Sequence, residues 1–189
     1  METKLNSCGA RLVIRTHVQR TVSRYIAILC QLRQIRHVIS TSTFQTLVVS
    51  LVLSRLHYRN AVLFGLPPYL LNHLQSLLNA AAQLIFGLRD TDHITEALVS
   101  LHWLRAPQRI HFKVAVLAYK VLNRSAPQYL GPLVRIADLP GRRPLRSTAC
   151  STLDILHFRL TMIGSRAFPV AASRIWNDLP ADVTSSPSL

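Results

Sequence analysis

Acidic residues are nearly missing from this sequence. Eight Asp and Glu stand against 22 Lys and Arg in 189 residues, for a formal net charge of +14. From Thr3 to Arg89 there is no carboxylate at all, against ten Lys and Arg. That scarcity leaves little material for acid–base chemistry by paired carboxylates or for metal sites built from oxygen ligands. The one close pair is Asp90-x-Asp92, followed by His93. Such a pair can hold a divalent cation, or it can serve a turn and a helix cap.

Glycine is also scarce. The six residues do not cluster, which excludes a glycine-rich phosphate cradle. Cys8, Cys30 and Cys150 are scattered, with no C-x-x-C spacing, so neither zinc nor a disulfide framework is indicated. Aromatic residues are few and fall mostly within apolar patterns, which favours core packing over stacking on single strands. G-x-S-x-G and H-E-x-x-H are absent. The histidines are spread through the chain, and His102 beside Trp103 reads as a packing or hydrogen-bonding group rather than a base. The expectation is a chain that is not an enzyme, with no cofactor, no metal and no small-molecule substrate.

Long hydrophobic runs are missing too. The best, Leu47 to Leu53, falls far short of the roughly 18 apolar residues needed to span a bilayer. The first residues, METKLNSC, lack the apolar core of a signal peptide, so an intracellular location is expected.

What is present is an apolar half with helical spacing and an excess of positive charge. A net charge of +14 attracts polyanions, nucleic acid first and an anionic membrane surface second. Residues 1–16 carry no clear period and are expected to be a disordered leader. Val18, Val22, Tyr25, Leu29, Leu32 and Ile35 predict a helix from His17 to about Arg36, with Arg20, Arg24, Arg33 and Arg36 interrupting the pattern. Ser40 to Thr43 offer N-caps for a second helix reaching about Asn60. Its β-branched residues make strand a competing reading at 47–53. Gly65, Pro67 and Pro68 break the chain before a third helix, from Leu70 to Leu88.

Gly87 to Thr91 then form a connector, and Asp92 or Thr95 can cap a short helix over 96–101. The stretch Leu101 to Arg124 joins a Leu-His-Trp-Leu hook to a helix opened by Pro107 and stopped before Pro127. Residues 125–152 read as loop, 153–162 as a small hairpin, and Ser165 to Trp176 as a final helix. The expected fold is mainly α, an irregular bundle of five or six helices with one small β-hairpin near 153–162. A helical core over 17–124 would be followed by a loop-rich segment over 125–189.

Cations on these elements are the candidate site. Arg109, Lys113, Lys120 and Arg124 are spaced 4, 7 and 4 and fall within roughly 60° on a helix. Ile110, Val114, Leu117, Ala118, Val121 and Leu122 cover its other side. Two readings fit: a buried helix whose solvated face is basic, or a helix that packs on one side and meets phosphates on the other. Arg142, Arg143 and Arg146 cluster in the loop, and Arg166 and Arg174 lie eight apart on the last predicted helix. Such residues hold phosphates without reading sequence.

Several separated blocks carry a resemblance. They include Leu32-Arg-Gln-Ile-Arg36, Ser54-Arg-Leu-His-Tyr-Arg-Asn60, Gly65-Leu-Pro67, Leu74-Gln75 with Asn79-Ala-Ala-Ala82, and Asp92-His-Ile-Thr95. Leu101-His-Trp-Leu104, Arg109-Ile110 with Phe112-Lys113, Tyr119-Lys120 and Ala126-Pro127 with Tyr129-Leu130 follow. Arg166-Ala-Phe168, Ala171-Ala172 and Trp176-Asn177 with Leu179-Pro180 complete the order. In this set and order the chain resembles the region downstream of the palm in reverse transcriptases of LINE-type, non-LTR retrotransposons, in the chicken-repeat-like group. It departs from the family at His57 and Arg59, where Asp and Cys are usual, at Arg105 in place of Pro, and at His111 in place of Asp.

The family's polymerase chemistry needs palm aspartates, including a Y/F-A-D-D turn, to hold two magnesium ions. No such turn occurs here. The resemblance therefore implies a non-catalytic fragment, thumb-like and helical, that grips RNA or DNA backbone. The alternative it leaves is a helical scaffold that packs on a missing polymerase palm and has no independent activity. The phosphate role carries over to Arg109, Lys113, Lys120, Arg166 and Arg174. The family's helix usually continues past Leu189, so the chain is expected to be cut there.

Overall fold

Helices follow from the apolar spacing, and their ends from a few capping residues. A computed structural model describes residues 2–54, 56, 63–89, 91–139, 152–158 and 164–186, with residues 2–12 described through their backbone. The architecture is mainly α, and no strand occurs among the described residues.

Helix α1 spans Glu2–Ile35. Residues 2–16, expected to be a disordered leader, belong to it. Once the amphipathic part is nucleated, each added residue gains a hydrogen bond, and no proline upstream interrupts the ladder. Val18, Val22, Tyr25, Leu29 and Leu32 are buried along one side. Ser40 caps α2 (Thr41–Val48), its hydroxyl accepting from the Thr43 N–H at 3.2 Å. The helical reading of 47–53 holds with a variation: Val49–Leu53 is π-helical. Here Ser50 Oγ donates to the Leu47 carbonyl at 3.1 Å, a side-chain bond that competes with the regular ladder.

Helix α3 spans Pro68–Phe86 and opens on a proline whose missing N–H costs nothing in the first turn. It stops at Gly87, left-handed at φ 69°. Leu70, Leu74, Leu77, Leu78, Ala81, Ala82 and Ile85 are buried on it. The alanines bring no long side chain to the interface and permit close approach of a neighbour. Helix α3 packs mainly against α1, and also against α2 and α4 (Ile94–Ser100). Asp92 does not cap α4; its carboxylate accepts from the Arg89 N–H at 2.7 Å and closes the preceding turn, while His93 stands at the N-cap without a side-chain bond.

Helix α5 spans Ala106–Leu122. The chain divides into two compact units, residues 1–109 and 110–189. The first turn of α5 is held within the first unit. The Ala106 N–H donates to Gln75 Oε1 at 2.8 Å, and Gln75 in turn donates to Asn79 at 2.8 Å.

In the second unit, 3-10 turns at Gln128–Leu130 and Ile136–Asp138 punctuate the stretch read as loop. Of the hairpin expected over 153–162, residues 159–162 lie outside the described residues; within 153–158 the pairing is one antiparallel bridge between Arg135 and Leu153. Ile136 N–H donates to Thr152 O at 3.0 Å, and Asp154 N–H to Val134 O at 2.8 Å. The other side of Leu153 is taken by an asparagine. The Leu153 N–H donates to Asn177 Oδ1 at 2.8 Å, and Asn177 Nδ2 donates to the Leu153 carbonyl at 2.9 Å. A side-chain amide thus stands where a second strand would, and Leu153 is fully buried.

Asn177 ends α6 (Phe168–Asn177), on which Val170, Ala171, Ala172, Ile175 and Trp176 are buried. A last single turn, α7, spans Ala181–Thr184.

Candidate nucleic-acid interface

The stripe expected on α5 does not form as spaced. Arg109 turns inward and is 7% exposed. Its Nε donates to the Leu104 carbonyl at 2.8 Å, and its guanidinium lies 5.9 Å from the centre of the Trp103 ring. Burial penalises the charged form and pushes its pKa below the ordinary value.

The reason for the inward turn is the hook. Helix α4 ends with Trp103 N–H on Leu98 O at 2.8 Å and His102 N–H on Val99 O at 2.9 Å, while His102 adopts φ 54°. This is a Schellman ending with a histidine where glycine is usual. It aims the Leu104 carbonyl and the Trp103 ring at the start of α5, where Arg109 meets both.

Arg124 leaves the stripe for a similar reason. Helix α5 ends at Leu122, with Ser125 N–H on Lys120 O at 2.8 Å and Arg124 N–H on Val121 O at 3.1 Å. Arg124 is the left-handed residue of that ending, at φ 55°. Lys113, half-buried, and Lys120, exposed, remain on the helix, seven residues and about 10 Å apart.

Arg142, Arg143 and Arg146 lie outside the described residues. Arg166 and Arg174 do not share a helix face, because α6 begins only at Phe168. Pro169 has no N–H to give the residue 165 carbonyl, so the helix cannot extend back through Arg166. Arg166 is half-buried, and desolvation lowers its pKa. Arg174 is exposed, with its guanidinium 5.5 Å from the centre of the Phe158 ring.

Further exposed cations lie on α1, which the family resemblance did not single out. Arg15, Arg20, Arg24 and Arg33 are all exposed. At about 100° per residue, Arg20 and Arg24 point away from the buried Val18–Leu32 side, and Arg15 and Arg33 share one azimuth at its flank. Their signal was in the sequence: four arginines breaking an apolar period inside a stretch with no carboxylate.

Arg36 differs from them. Its Nε donates to Leu84 O at 2.6 Å and its Nη2 to Ile85 O at 3.0 Å, so it satisfies carbonyls at the end of α3.

Asp92 closes its turn, Asp90 lies outside the described residues, and among the described residues no group of three or more His, Cys, Asp or Glu is placed to hold a metal. No helix among them is long and apolar enough to cross a membrane. Comparison with known proteins finds no matching family model, no similar curated protein and no similar solved structure.

Proposed function

We propose that the chain is a non-catalytic, sequence-independent binder of RNA or DNA backbone, derived from the post-palm region of a retrotransposon reverse transcriptase. One observation carries the binding reading. Arg15, Arg20, Arg24 and Arg33 stand exposed along a single helix in a stretch, residues 3–89, that contains no carboxylate. No internal counter-charge from that stretch competes with a phosphate there, and arginine forks match phosphate oxygens in pairs. Lys113 and Lys120 on α5 are a second, smaller set. The derivation rests on the ordered blocks, several of which act here as clasps: Arg36 on α3, Gln75 on α5, Arg109 on the hook and Asn177 on Leu153.

The test is a titration of single-stranded RNA and DNA affinity against salt. Backbone contact predicts log affinity falling linearly with log salt, at about 0.7 per phosphate for a single strand. Arg20→Gln with Arg24→Gln should flatten that slope by roughly 1.4, two contacts' worth. Binding that is absent or indifferent to salt would sink the reading.

A further inference from the structure

Within the first unit, the C-terminal ends of α1 and α3 line a cleft of about 730 Å³. That volume is in the range of small-ligand sites. Arg33, Arg36, His37 and Arg89 line it, together with the exposed thiol of Cys30 and the apolar Leu84. Among the described residues, no Asp or Glu lines it.

A helix C-terminus carries partial negative charge and would by itself repel an anion. Here Arg36 covers two of the last α3 carbonyls, Leu84 and Ile85, and turns that end neutral to positive. Gly87 permits this: a Cβ there would come within 3.0 Å of Arg36 Nη2. Arg33 and Arg89 are exposed, and neither side chain has a hydrogen-bond or ion-pair partner among the described residues. Two guanidinium groups with no partner among the described residues therefore stand at a concave surface with a third fixed behind them, an arrangement that concentrates positive potential.

We infer that this cleft seats a phosphate group of a bound nucleic-acid strand, between the guanidinium groups of Arg33 and Arg89. The inference rests on the backbone-binding reading and adds a defined seat to it.

Cys30 supplies a readout inside the cleft. The full chain is treated with iodoacetamide, with and without a saturating oligothymidylate, and alkylation of the Cys30 peptide is followed by mass spectrometry. The strand should slow modification of Cys30 several-fold. Arg33→Gln with Arg89→Gln should abolish that protection and make the salt slope shallower by roughly 1.4. A strand that binds while Cys30 reacts at its unliganded rate overturns the cleft and leaves the α1 surface standing. Protection that survives the double substitution overturns it as well. Protection by pyrophosphate but not by the strand would assign the seat to free phosphate and refute the strand. No binding of the strand at all sinks both readings.

Discussion

Two sets of basic residues behave differently in this molecule. Along α1 the arginines at 15, 20, 24 and 33 stay in solvent, whereas on α5 the first arginine of a stripe spaced 4, 7 and 4, Arg109, is buried. Helical phase does not predict this: the aligned series loses its first cation to the core, while the unaligned one keeps its four in solvent. The difference is what lies within reach. Around Arg109 a left-handed turn at His102 presents an unused carbonyl and an indole face. A guanidinium can satisfy one and stack on the other while its stem packs. Around Arg20 and Arg24 no such turn exists, because α1 runs unbroken past them. A cation's role therefore depends less on its helical phase than on whether a chain reversal leaves a polar group for it to satisfy.

The largest expected effect breaks this comparison at Arg109. Arg109→Ala removes a charge-assisted bond and a stacked cation and strands the Leu104 carbonyl in a partly buried place. That should destabilise the chain by about 2–4 kcal/mol. Arg24→Ala, on an exposed position of α1, should change stability by no more than about 0.5 kcal/mol. Urea midpoints measure both. The salt slope of strand binding should show the reverse ranking, with Arg24→Ala shallower and folded Arg109→Ala unchanged. Equal stability losses at the two positions would contradict the division of labour.

The clasp in the second unit gives the next effect. Asn177 satisfies both main-chain groups of the fully buried Leu153. Asn177→Ala leaves a donor and an acceptor unpaired and should cost about 2 kcal/mol. Asn177→Asp keeps the acceptor for the Leu153 N–H but sets a carboxylate against the Leu153 carbonyl, so it should not restore stability. Amide exchange at Leu153 reads the same contact locally and should accelerate in both variants. Recovery of full stability in Asn177→Asp would mean that only the Leu153 N–H matters.

Much of the helical plan was legible because it rests on local rules. The apolar spacing located α1, α3 and α5. Ser40 before α2 and Gly87 after α3 are caps that sequence alone can suggest. The candidate site was less legible, because turns and side-chain contacts, not helical phase, decide where its cations go. Arg109 was read by helical phase, but its partner carbonyl is aimed by the backbone of His102, seven positions upstream. Asn177 pairs with a residue 24 positions away, a separation that no periodicity encodes. The apolar spacing of Phe168 to Trp176 carries the predicted helix back over Arg166, whereas Pro169 confines its start to Phe168. The stop at Pro127 predicts α5 as far as Arg124, and no glycine marks its end at Leu122.

That missing glycine sets up the smallest prediction. Three helices end in the same left-handed turn, one with Gly87 and two with ordinary residues, His102 and Arg124. A side chain in that conformation costs roughly 1–2 kcal/mol, which glycine avoids. His102→Gly should therefore raise stability by about 1 kcal/mol, since the imidazole is exposed and has no partner in the turn. Arg124→Gly should gain less, because its cation lies at the negative end of α5 and that attraction, about 0.3–1 kcal/mol, is lost with it. Gly87→Ala should move the other way, losing about 1 kcal/mol from the strained φ and crowding Arg36 as well. Raising ionic strength separates the terms: it screens the dipole attraction at Arg124 and leaves the backbone strain untouched. At high salt the gains from His102→Gly and Arg124→Gly should converge. If they stay apart, the difference lies in side-chain packing at the two turns and not in charge.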